Sequence, residues 1–107
     1  MVARRLVEGS PDVLTAVIFD AAGGLVDSGG IESASARELA ELARQLVERA
    51  DAASARPVEQ IEVQTAGGSV FAVRDARHVV ACVTRRAALP ALVLYDLRDA
   101  LGELAPA

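Results

Sequence analysis

The 107-residue sequence contains no lysine and no tryptophan, and only one cysteine, one histidine, one tyrosine and two phenylalanines. Each scarcity excludes something. A lone Cys82 rules out a disulfide framework within the chain. One cysteine and one histidine are too few soft ligands for a zinc site, which leaves only carboxylates open to a metal. With 3% aromatic residues against 52% hydrophobic ones, the core has to be aliphatic. The 11 basic residues are outnumbered by 15 acidic ones for a net charge of −4, so no basic field exists to neutralise duplex phosphates. No apolar run approaches the roughly 18 residues of a membrane span. The first apolar run, Val13 to Phe19, is preceded by Glu8 and Asp12 and broken by Thr15, unlike a secretory signal. These features describe a soluble cytoplasmic protein with no nucleic-acid partner and no membrane insertion.

What the chain has in abundance is small and aliphatic. Alanine supplies 22 residues, and nearly all the other apolar content is Val, Leu and Ile. A chain of this length forms one domain, 1–107, and buries about two-thirds of the surface its unfolded form exposes, enough for a core without disulfides or structural metal. Six of the eight glycines fall in the pairs Gly23-Gly24, Gly29-Gly30 and Gly67-Gly68, which with Pro11, Pro57 and Pro90 punctuate the chain. Val13 to Phe19 is an apolar run without clean alternation, as in a strand covered on both faces. A turn at Asp20 to Gly24 returns a short strand, Leu25 to Ser28, beside it. Ile61, Val63 and Thr65 alternate with Glu62 and Gln64, the period of a strand at the edge of its sheet. Ala66 to Ser69 forms a hairpin turn to Val70–Val73, and His78 to Thr84 is a further strand covered on both faces. Pro90 opens a closing helix marked by Val93, Leu97, Ala100, Leu101 and Leu104.

Between Ile31 and about Ala53 the period becomes helical. Ala36, Leu39, Ala40, Leu42, Ala43, Leu46, Val47, Ala50 and Ala53 occupy an arc of about 160°, wider than the roughly 100° that one sheet face needs. Within that arc Leu39, Leu42, Leu46 and Ala53 lie to one side, and Ala36, Ala40, Ala43 and Val47 form a small-residue shoulder suited to a closely approaching second helix. Ser35 and Glu38 have the spacing of a capping box. Arg37, Glu41, Arg44 and Glu48 share the opposite face, with i,i+4 pairs each worth about 0.3 kcal/mol. A solvated helix surface and a partner-binding face are both compatible with it.

No motif for chemistry assembles. The glycines lack a nucleotide-binding spacing. Asp20, Asp27 and Glu32 cluster around the first turn, where aspartate serves local hydrogen bonding more often than a metal or a reaction. His78 is the only imidazole and no serine or cysteine nucleophile stands ready for it. Cys82 among apolar neighbours reads as a small buried hydrophobe, and Tyr95 as the amphipathic edge of the last helix. The chain is expected to be no enzyme, without cofactor or metal.

The order of short helix, two strands, long helix, three strands and closing helix resembles the Roadblock/dynein light-chain family, in its bacterial branch associated with small GTPases. The resemblance rests on Ser10 to Val26, with a proline turn, an apolar strand and an acidic-glycine turn before Gly24-Leu25-Val26, then on the alanine and leucine stripe of the long helix, and on Val79 to Val83. The leading helix, at most Val2 to Glu8, is shorter than usual, and Asp12 stands where glycine is common. The resemblance implies an α/β (α+β), profilin-like fold: one five-stranded antiparallel sheet, the long helix on one face and the short terminal helices on the other. It also implies a cytoplasmic homodimer joined along Val58 to Thr65, through Ile61, Glu62, Val63 and Gln64. The long helices would meet through Ala36, Ala40, Ala43 and Val47. Arg37, Glu41, Arg44 and Glu48 would then face a Ras-like small GTPase, which the protein regulates, activates for hydrolysis or scaffolds. A dimeric signalling scaffold for other proteins is the alternative reading. A small enzyme using His78 with Asp20 or Asp27 is a third, and it requires a polar pocket joining them.

Overall fold

The structure is a computed structural model and describes residues 2–30, 33–55, 59–66 and 68–104, the side chains of residues 33–37 and 65 excepted. Its elements are α1 (Val2–Gly9), β1 (Val13–Asp20), β2 (Leu25–Gly29), α2 (Ser33–Ala52), β3 (Gln60–Thr65), β4 (Gly68–Arg74), β5 (His78–Thr84) and α3 (Pro90–Glu103). The strands form one antiparallel sheet in the order β2-β1-β5-β4-β3. This is the expected α+β arrangement, and β3 is an edge strand as its alternation requires. The unalternating runs, β1 and β5, lie side by side in the interior. β4 is internal as well, with Phe71, Ala72 and Val73 buried.

Each sheet face carries its own apolar layer. On one, α1 lies over β1 and β2 while α3 lies over β4 and β5. Ala3, Leu6, Ile18, Phe71, Val80 and Leu97 close that layer. Cys82 is buried in it, and burial pushes its thiol pKa up to about 12, so it packs as a hydrophobe. Polar contacts tie α1 in place: Ala3 N–H donates to Asp27 Oδ2 at 3.0 Å, and Ser10 Oγ donates to Asp96 Oδ2 at 2.6 Å. Asp27 is thus a cap for α1. Gly29 of β2 supports the same approach, because a Cβ there would stand 2.8 Å from Ala3 O.

Among the described residues, α2 lies alone on the opposite face. Ala40, Ala43 and Val47 are buried there against Val17, Phe19, Ala72, Val79 and Ala81. This corrects the assignment of the small-residue shoulder. Ala40, Ala43 and Val47 meet the chain's own sheet rather than a second helix, and Ala36 lies outside the described side chains. The sheet supplies the bulk at this interface through Phe19 and its valines, so the helix approaches through its smallest side chains. On the leucine side Leu42 is 59% exposed and Leu46 half-buried, while Leu39 packs against the edge of the same core. α2 begins at Ser33, ahead of Ser35, so Ser35 is not its N-cap. Gly30, which precedes the helix, has φ +74°, and a Cβ on it would stand 2.5 Å from Leu14 O, so only glycine fits.

Candidate functional site

The register shows what α2 leaves uncovered. It starts beyond the end of β2 and finishes with Asp51 paired to Arg74 at the end of β4, at 2.5 and 2.7 Å, so it crosses the sheet diagonally. Two opposite corners of that face remain open.

The first corner is apolar. Val63 pairs with Val70, Val70 with Val83, and Val83 with Thr15, a continuous row across β3, β4, β5 and β1. The three valines are partly exposed and belong to neither packed layer, whereas the next row inward, Ile61, Ala72, Ala81 and Val17, packs with α2. This row ends at an open edge. Arg74 N–H donates to Glu59 O at 2.9 Å, so by antiparallel alternation the backbone of Ile61 and Val63 bonds to β4. The backbone groups of Gln60, Glu62 and Gln64 face outward.

The second corner is a groove of about 820 Å³ between the last turns of α2 and the β1–β2 and β4–β5 turns. Its floor is Phe19, Val79 and Val47. Arg44 and Glu48 stand on the helix side. The Arg44 guanidinium bonds Glu41 at 2.5 and 3.0 Å and Glu48 at 2.5 Å. Hydrogen bonds from Arg44 and Gln45 hold the Glu41 carboxyl down at about 2, and the bond to Glu41 in turn raises the Arg44 pKa. The stem of Arg44 crosses Gly23, where a Cβ would stand 2.9 Å from its Cδ. Three of the four residues predicted for the helix face therefore form one charge cluster, and the side chain of the fourth, Arg37, lies outside those described.

Asp20 and Asp75 project from the two turns that make the opposite side. Asp20 Oδ1 accepts the N–H groups of Ala22 and Gly24 at 3.0 and 2.8 Å, the local turn role expected of it. Asp75 Oδ1 accepts those of Arg77 and His78 at 2.8 and 2.9 Å. Burial opposes ionisation of Asp75, but these bonds outweigh it and lower its pKa. His78 lines the groove and is the antiparallel partner of Asp20, so the structure brings those two together. Asp27 is elsewhere, engaged by α1, and Glu32 lies outside the described residues. Among the described residues the groove lining holds no serine, threonine or cysteine, and no group of His, Cys, Asp and Glu is arranged to hold a metal ion.

The sequence matches the Roadblock/LC7 domain over residues 3–85. The chain belongs to the Roadblock/LC7 family. Among solved structures, it is similar to a Roadblock/LC7 domain from Streptomyces avermitilis, with TM-score 0.89, 21% identity and coverage of 96% of this chain and 91% of that one. Myxococcus xanthus MglB aligns with TM-score 0.80 and 20% identity over 96% and 88% of the two chains. Schizosaccharomyces pombe profilin aligns with TM-score 0.64 and 12% identity over 95% and 92%. At these identities the likeness establishes the profilin-like Roadblock fold. No curated protein sequence matches the chain.

Several residues of these uncovered surfaces were not predicted as site residues from the sequence. Leu42, Val70 and Val83 needed the helix rotation and the strand register, and Glu59, Asp51 and Asp75 are gathered at the groove from three separate segments. The edge residues Ile61, Glu62, Val63 and Gln64 do stand on β3, where their alternation placed them. No helix among the described residues is long and apolar enough to cross a membrane.

Proposed function

We propose that this Roadblock protein is a non-catalytic, cytoplasmic homodimeric interaction module that binds and regulates a Ras-like small GTPase and uses no cofactor. The observation that carries the reading is the valine row running out to an unpaired edge strand. An open edge whose neighbouring sheet face is also apolar is a surface for a second chain, since a monomer would leave both exposed. Pairing β3 to β3 continues the sheet through Glu62 and its neighbours. Leu42, with the half-buried Leu46 beside it, supplies apolar surface on the helix above.

The GTPase part of the reading is supported by membership of the Roadblock/LC7 family and by the likeness to MglB. The Glu41, Arg44 and Glu48 cluster is the surface offered to that partner. Its guanidinium is already held by two carboxylates of its own helix, which favours recognition over delivery of an arginine to a nucleotide. The test is to mix the protein with a Ras-like GTPase from the same source in its GDP and GTP-analogue states. A complex or altered hydrolysis in one state, weakened by Arg44→Ala, is the expected result. Failure to bind in either state, with no change in hydrolysis, overturns the GTPase reading and leaves a scaffold for other proteins.

A further inference from the structure

We propose that two copies of the chain join β3 to β3 in one register, with the two-fold axis at Val63, so that Glu62 of each copy lies opposite Gln64 of the other. This rests on the homodimer reading above and supplies what that reading leaves open, the alignment of the two edges. Antiparallel geometry restricts the choice first. Gln60, Glu62 and Gln64 turn their backbone groups outward, and outward groups can bond only to outward groups, so the axis passes through a residue and not between two. Near the middle of β3 that leaves Ile61, Glu62 and Val63.

The side chains decide among them. Ile61 and Val63 lie on the α2 face of the sheet, while Gln60, Glu62 and Gln64 lie on the α3 face, where Arg98 donates to Gln60 Oε1. An axis at Glu62 sets the two Glu62 carboxylates directly across from each other, a like-charge pair on a chain that is already acidic. An axis at Ile61 sets Glu59, which stands beside Val47 on the α2 side, across from the partner's Val63, so the apolar row ends on a carboxylate. An axis at Val63 avoids both. It lays Val63 against the partner's Val63, and the row of Val83, Val70 and Val63 runs straight into its copy. It also completes the polar set on the other face. Gln64 Nε2 already donates one N–H to Glu62 Oε2 of its own strand at 3.0 Å, and its second N–H comes within reach of the partner's Glu62. Carboxylates and amides then alternate around the joint, with the two carboxylates on a diagonal about 7–8 Å long.

The experiment introduces Val63→Cys or Ile61→Cys into the full-length chain and follows interchain disulfide formation in a glutathione redox buffer by non-reducing electrophoresis. Cys82 is buried, so the wild type is the unlinked control. In the proposed register the Val63 positions form a non-hydrogen-bonded pair with Cα atoms about 4.5 Å apart, within the span of a disulfide, whereas the Ile61 positions are about 13 Å apart along the strands. Val63→Cys is expected to link most of the chains and Ile61→Cys almost none. Gln64→Lys, at an exposed position, reads the register without a cysteine. Facing the partner's Glu62, it is expected to tighten the dimer about fivefold in sedimentation equilibrium, a gain that Glu62→Gln in the same chain cancels. Linking through Ile61→Cys overturns the register. A dimer in which neither cysteine links, or in which Gln64→Lys brings no gain, overturns it as well and leaves the homodimer reading standing. A wild-type protein that stays monomeric overturns that reading and the register with it.

Discussion

At the residue scale, Arg44 does most to organise the exposed face of α2, because it holds two carboxylates and leans its stem on the first turn. Glu41 is solvent-exposed, yet its hydrogen bonds keep it ionised well into the acid range. A carboxylate depressed in the folded state contributes its pairing above the unfolded value near 4.5 and loses it as pH falls through about 2. In a carboxyl-detected titration Glu41 is therefore expected to remain charged at pH 3.5, and in Arg44→Ala its midpoint rises towards 4.5. An unchanged midpoint would mean that the pairing does not persist in solution. Gly30→Ala forces both a left-handed backbone and a clash with Leu14 O, and is expected to cost about 1–3 kcal/mol in chemical denaturation. Cys82, buried and with its thiol raised, is expected to stay unmodified by a thiol reagent at pH 8 until the protein is unfolded.

At the scale of elements, α2 shows how much the sequence could reveal. Its extent, its charged face and the Arg44–Glu48 i,i+4 pair were legible because each follows from a 3.6-residue period within one segment, whereas Glu41 takes Arg44 three residues on as its partner. Its orientation was not. A 160° apolar arc contains two candidate buried sides, and the choice depends on the bulk that Phe19 and Val79 bring up from strands elsewhere in the chain. The strands show the same division: alternation placed Ile61 and Val63 on an edge, but only register revealed that Val63, Val70 and Val83 make one row. The groove was the least legible feature, since its acidic rim is drawn from two turns, the end of α2 and the entry to β3. Two substitutions separate the sides of α2. Ala43→Leu overpacks the sheet interface and is expected to destabilise the fold by about 1–3 kcal/mol. Leu42→Ser, on the exposed side, is expected to leave monomer stability within about 0.5 kcal/mol while weakening self-association. Thermal unfolding and concentration-dependent sedimentation of the two variants check both outcomes, and the reverse pattern would restore the alanine shoulder as the partner surface.

For the whole molecule, the two faces of the sheet have different fates. One is closed by α1 and α3 with their polar ties, and the other is only half covered by α2. A 107-residue chain with so few aromatics has little surplus core, so an apolar row left open at an edge strand is best accounted for by a second copy. Assembly through the valine row and partner binding are then separable, because that row lies at the opposite ends of the strands from the groove, which reaches the β3 edge only at Glu59. The most direct check is the mass in solution by sedimentation equilibrium, comparing the wild type with Glu62→Pro. That substitution removes an outward N–H from the open edge and leaves the bonds of β3 to β4 intact. The expected result at micromolar concentration is twice the 11.1 kDa chain mass for the wild type and a folded monomer for Glu62→Pro. A wild-type protein that sediments as an 11.1 kDa monomer would contradict the account.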